Sequence, residues 1–91
     1  MNPTPSFHDL KRNLTLVLDR IHHACNRVNR SPQGVRLVAV TKYVQADVVE
    51  NLIQLGLTEF GENRLQVATP KIQALTGKPV HWHWIGHLQT N

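Results

Sequence analysis

Val35-Arg36-Leu37-Val38-Ala39-Val40-Thr41-Lys42 is the stretch on which the reading of this chain turns. It is a short, nearly continuous apolar run rich in β-branched residues, entered from Ser31-Pro32-Gln33-Gly34. That composition predicts a strand of a parallel sheet, buried on both faces. Period-two alternation sets Val38, Val40 and Lys42 on one face and Leu37, Ala39 and Thr41 on the other. An ammonium group that ends a buried apolar face is unusual. A lysine amine held out of bulk water is a nucleophile, which Schiff-base chemistry requires. The plainer reading is a lysine that caps the strand and reaches solvent along its own stem.

Upstream of this strand, Ser6 reads as a helix N-cap, with Asp9 three residues on where a capping-box acid would sit. Phe7, Leu10, Leu14, Val17, Ile21, Ala24 and Val28 recur at spacings of three and four, and Leu18 widens their stripe. One long amphipathic helix follows, ended by Pro32 and Gly34. Downstream, a second helix is predicted over 46–55 and stopped by Gly56 at the C′ position. Val48, Val49, Leu52, Ile53 and Leu55 supply its buried side. A strand over 57–61 comes next, then a helix over 64–75 carrying Leu65, Ala68, Ile72 and Leu75 as apolar residues. Pro70 lies inside it and is expected to kink or divide it. Thr76-Gly77-Lys78-Pro79 turns the chain into a third strand over 80–85, ending at Gly86. Strands that alternate with helices predict an α/β fold with parallel strands.

Composition narrows the function. Ninety-one residues allow one small domain, and a hydrophobic fraction of 41% suits a globular one. No apolar run approaches the roughly 20 residues that span a bilayer, so no membrane partner is expected. Met1-Asn2-Pro3-Thr4-Pro5 lacks the basic and apolar regions of a signal peptide, and residues 1–5 are expected to be disordered. A single cysteine, Cys25, forms no internal disulfide, which fits a reducing cytoplasm. The formal charge is +4, but Lys11, Arg12, Arg20, Arg27 and Arg30 are spread along a helix with Asp9 and Asp19 between them. They read as a solvated face, not a nucleic-acid interface. Acidic small molecules such as phosphate esters are favoured by the net charge.

In α/β folds chemistry gathers at the carboxyl ends of the strands. Here those ends are Thr41-Lys42, Gly61-Glu62-Asn63 and Gly86-His87-Leu88-Gln89, each with polar groups directly after an apolar run. His81 and His83 share a strand face, with His87 four residues on, a spacing that suits zinc. Nothing nearby in sequence completes a ligand set, so no metal is assigned. Trp82 and Trp84, on the opposite face, are expected to pack against helices.

Three segments resemble one family. They are Leu37-Val38-Ala39-Val40-Thr41-Lys42, then Phe60-Gly61-Glu62-Asn63-Arg64-Leu65-Gln66, then Trp82-His83-Trp84-Ile85-Gly86-His87-Leu88-Gln89-Thr90-Asn91. In order and spacing they are similar to the pyridoxal phosphate homeostasis proteins, relatives of the N-terminal barrel of alanine racemase. The similarity covers residues 6–91. It implies the N-terminal helix and first three strands of a (β/α)8 barrel that binds pyridoxal 5′-phosphate. It implies that Lys42 matches the lysine forming an internal aldimine with that cofactor, and that Asn63 and His83 match residues lining the same cavity. It further implies a carrier or regulator without robust turnover, which buffers a reactive aldehyde and affects amino-acid and keto-acid balance.

The chain departs from the family's pattern in three ways. Thr41 stands where the family usually has serine, and Val67 where it commonly has an acid. A barrel of this class needs roughly 200 residues or more, and the elements that hold the phosphate and the pyridine nitrogen in the family lie beyond the third strand. The sequence is therefore expected to be an N-terminal segment: a truncated gene, one half of a split protein, or a partial record. Three strands leave a sheet edge open, so self-association or completion by another chain is expected. Two rivals accompany this reading. One is a racemase-type enzyme, which needs a second acid–base group opposite the cofactor, whereas Tyr43 sits beside Lys42. The other is a fragment that binds no cofactor, in which Lys42 only caps a strand.

Overall fold

The computed structural model describes residues 5–89, and side chains through residue 86. The expected disorder of the N-terminus falls, for residues 1–4, outside the described residues, as do Thr90, Asn91 and the side chain of His87. The elements run α1 (Phe7–Arg27), a 3-10 turn (Pro32–Gly34), β1 (Ala39–Val40), α2 (Ala46–Gln54), β2 (Glu59–Arg64), α3 (Leu65–Ala74) and β3 (His81–Gln89). They divide into two compact units, residues 1–36 and 37–91.

The first unit is α1 and its exit. Ser6 caps the helix as expected, its Oγ accepting the Asp9 amide at 3.0 Å. At the other end Asn29 takes the left-handed conformation, φ 53°. The Arg30 and Asn29 amides donate back to the Cys25 and Asn26 carbonyls, a Schellman closure. Ser31 then caps the 3-10 turn through Gln33 N–H.

The second unit is an α/β layer. Its parallel sheet has the order β1-β2-β3, with Ala39 beside Phe60 and Val40 beside Gly61. Glu59 pairs with His81, Phe60 with Trp82, Gly61 with His83 and Glu62 with Trp84. Period two then sorts the sheet into two faces. Ala39, Phe60 and Trp82 pack with Val49, Leu52 and Ile53 of α2 and with Leu75 to form the core. Phe60 and Trp82 meet at 5.9 Å between ring centroids. The opposite face carries Val38, Val40, Gly61, His83 and Ile85, and Gly61 is required there. A Cβ on it would lie 3.2 Å from Ile85 Cγ2 and 3.5 Å from Val38 Cγ1.

Several boundaries differ from the sequence reading. The eight-residue strand reduces to a two-residue ladder, extended by one bond from Thr41 N–H to the Gly61 carbonyl. It is not buried on both faces, since Val40 is 57% exposed. A three-stranded sheet does not curl far enough to shelter its second face. β2 begins two residues late and runs on through Gly61, Glu62 and Asn63, because β3 pairs alongside them. β3 continues past Gly86, which adopts φ 66° where the register jumps from Glu62–Trp84 to Arg64–Gln89. α3 runs through Pro70 as a single helix rather than dividing. Trp82 packs on the core as expected, whereas Trp84 is exposed.

Lys71 is the largest departure. It was not singled out from sequence, yet it is buried on α3. Its Nζ lies 3.0 Å from Glu62 Oε2 and 3.2 Å from Oε1, and donates to the Thr41 carbonyl at 2.6 Å. The Thr41 hydroxyl donates to Glu62 Oε2 as well. Thr41, Glu62 and Lys71 are the buried polar or charged residues of the described chain, and they satisfy one another.

Removing either ion of the Glu62–Lys71 pair strands a buried charge, which costs about 3–5 kcal/mol. Lys71→Met should therefore lower the unfolding free energy by roughly that amount, while Glu62→Leu/Lys71→Met recovers most of it; urea denaturation of both variants measures the difference. Gly56 closes α2 at φ 101°, with Leu57 and Gly56 amides returning to the Leu52 and Ile53 carbonyls. No atom would meet a Cβ there, so Gly56→Ala isolates backbone strain and should cost about 1–2 kcal/mol in the same assay.

Candidate functional site

The carboxyl ends of β1 and β2 build a cleft. Lys42, in the turn that follows β1, and Asn63, near the end of β2, lie together there. Lys42, Tyr43, Asn63, Arg64 and Val67 line a cleft of about 340 Å³. Lys42 is half-buried, and its Nζ stands 5.1 Å from the centroid of the exposed Tyr43 ring. At that distance the ring's negative face attracts the ammonium. The turn after β1 is closed by Val44 N–H donating to the Thr41 carbonyl at 3.2 Å. Val67 of α3 occupies one wall, so this side of the cleft is apolar.

Of the three residues singled out from sequence, Lys42 and Asn63 share the cleft and His83 does not line it. His83 lies beside Gly61, one inward-facing pair further back along the strands. Its Nε2 is 2.9 Å from Glu59 Oε1, and His81 Nδ1 is 3.4 Å from Glu59 Oε2. A single carboxylate thus sits between two imidazoles on the neighbouring strand. Glu59 was not identified from sequence, because its partnership with His81 is set by strand register. Among the described residues, no three His, Cys, Asp or Glu side chains are arranged to hold a metal ion.

The groups around the cleft are mostly polar. They comprise a primary amine (Lys42), a guanidinium (Arg64), a neutral amide (Asn63) and an aromatic face (Tyr43). The volume lies at the small end of the range for ligand sites, roughly 300–1,000 Å³. Thr41 and Glu62 are buried beside the cleft. Each is the chain neighbour of a cleft residue.

No family model matches the chain. Curated relatives do. The chain is 40% identical over 78 residues to the pyridoxal phosphate homeostasis protein of Aquifex aeolicus, covering 86% of this chain and 34% of that protein. It is 39% identical over 87 residues to the protein of that name from Escherichia coli K12, covering 92% and 37%. With the Synechocystis protein of the same name it shares 46% identity over 61 residues, covering 66% and 28%. The chain spans about a third of the length of these relatives. It is a homologue of the pyridoxal phosphate homeostasis proteins and corresponds to their N-terminal segment.

Proposed function

We propose that the chain takes part in pyridoxal 5′-phosphate homeostasis and carries the cofactor-binding amine, Lys42, on the first strand of a (β/α)8 barrel. The observation that supports this reading is the placement of Lys42 and Asn63 side by side in one cleft, in a chain homologous to proteins named for that role. Lys42, Asn63 and Arg64 would hold pyridoxal phosphate, which would supply an aldehyde carbon as the electrophile for Schiff-base chemistry at the Lys42 amine. Asn63 would offer its amide as a hydrogen-bonding group on the cleft wall. Arg64 places positive charge on the cleft wall, where a phosphate dianion gains from it. Tyr43 keeps the Lys42 ammonium over its ring face in the free protein. His83, paired with Glu59, closes the back of the same sheet face.

The role is storage and transfer of a reactive aldehyde, not turnover. Catalytic racemisation needs an acid–base group on each side of the reacting carbon. Tyr43, the single tyrosine, is next to Lys42 in sequence and lies on its side. A cytoplasmic setting suits this role. The open edges of β1 and β3 are where further barrel strands, from this polypeptide or another copy, would pair.

Incubation with pyridoxal 5′-phosphate followed by borohydride reduction and peptide mapping tests the assignment. One adduct per chain is expected on Lys42, absent in Lys42→Ala, with buried Lys71 unlabelled. Labelling of Lys11 and Lys78 as readily as Lys42 would sink the reading. In an alanine racemisation assay the cofactor-treated chain should not exceed free pyridoxal phosphate; clear enzymatic turnover would instead favour the racemase-type alternative.

A further inference from the structure

The Lys71–Glu62–Thr41 network lies outside the cleft, on the helix-covered side of the sheet, and the proposed chemistry does not use it. Its position relative to the cleft is specific. Thr41 immediately precedes Lys42, and Glu62 immediately precedes Asn63. Thr41 and Glu62 are buried while Lys42 and Asn63 line the cleft, and Lys71 also borders a second cleft together with Lys42, between the start of α2 and α3. Thr41 is held at every polar atom. Its N–H donates to the Gly61 carbonyl at 3.0 Å, and its hydroxyl donates to Glu62. Its carbonyl accepts from Lys71 Nζ at 2.6 Å and from Val44 N–H at 3.2 Å.

That carbonyl belongs to the peptide plane joining Thr41 to Lys42. Two donors on its oxygen fix the plane, and with it the direction in which the Lys42 side chain leaves the backbone. The ladder itself stops at Thr41, because the turn to Val44 begins there. Regular sheet hydrogen bonding therefore does not orient Lys42. A buried ammonium supplied by α3 takes its place.

We infer that Lys71, held by Glu62, is a positioning residue for the Lys42 amine. It aims Lys42 into the cleft by fixing the Thr41–Lys42 peptide through the Thr41 carbonyl. This inference rests on Lys42 being the reactive amine, but half of its test is independent of any cofactor.

The test uses Glu62→Leu/Lys71→Met, which removes the network without stranding a buried charge, alongside the parent chain. The first readout is amide hydrogen exchange of Val44, whose N–H shares the Thr41 carbonyl with Lys71, against the amides of α2. With one charge-assisted bond lost at that carbonyl, Val44 should exchange roughly tenfold faster while α2 is unchanged. The second readout is the ratio of borohydride-trapped pyridoxal phosphate on Lys42 to that on Lys11 and Lys78, which should fall by a similar factor, about tenfold. If the double variant folds and keeps the parent's Val44 exchange and Lys42 selectivity, the network is structural only and the inference is overturned. A parent that shows no Lys42 selectivity refutes the cofactor assignment instead, and the exchange readout then decides the positioning role alone. If the double variant does not fold, Lys71→Arg replaces it. Parent-like Val44 exchange is required of that variant, since arginine keeps both the charge and a donor, and fast exchange counts against the inference.

Discussion

The contact between the Lys71 ammonium and the Glu62 carboxylate, both nearly inaccessible to water, is the constraint around which the second unit is arranged. A carboxylate on the covered face of a sheet is costly unless its charge is met and its oxygens accept hydrogen bonds. Lys71 meets the charge from α3, and the Thr41 hydroxyl occupies an oxygen from β1. One ionic contact therefore ties β1, β2 and α3 together. No buried side-chain polar atom among the described residues is left without a partner.

Apolar packing alone would leave the same layer less specific. The core of Val49, Phe60, Leu75 and Trp82 is small, and apolar contacts tolerate sliding. A one-residue slip of β1 against β2 would move Thr41 to the open face. It would also separate the Thr41 hydroxyl from Glu62. Register and polar satisfaction thus support the same arrangement, and that arrangement places Lys42 and Asn63 together. Gly61 adds a steric condition, since Ile85 and Val38 cross above it.

Much of this could be read along the chain. The Ser6 cap, the α1 helix, the Gly56 stop and the alternation of strands with helices all rest on local rules and appear in the structure, whereas Phe7, Val17 and Leu18 of the α1 stripe are exposed and the buried residue of α1 is Cys25. Lys42 as the polar end of an apolar strand was legible for the same reason. Lys71 was also within reach. It lies on one helical face with Ala68 and Leu75, three residues after the first and four before the second, and Glu62 alternates with Phe60 toward the core. Each signal taken singly reads as an ordinary surface charge, and only their juxtaposition makes a buried pair. Glu59 was out of reach, because its pairing with His81 and His83 depends on strand register.

Sequence by itself determined the kinds and order of the elements, because caps, turn glycines and hydrophobic periods act over four or five residues. It also determined the family, since relatives named for pyridoxal phosphate homeostasis share 39–40% identity over most of the chain. Tertiary structure decided where the strands end, which histidine faces which carboxylate, and that Lys71 rather than solvent meets Glu62. Those outcomes depend on residues 9 to 30 positions apart. Contacts across such separations form only when helices and strands pack, so no local rule anticipates them.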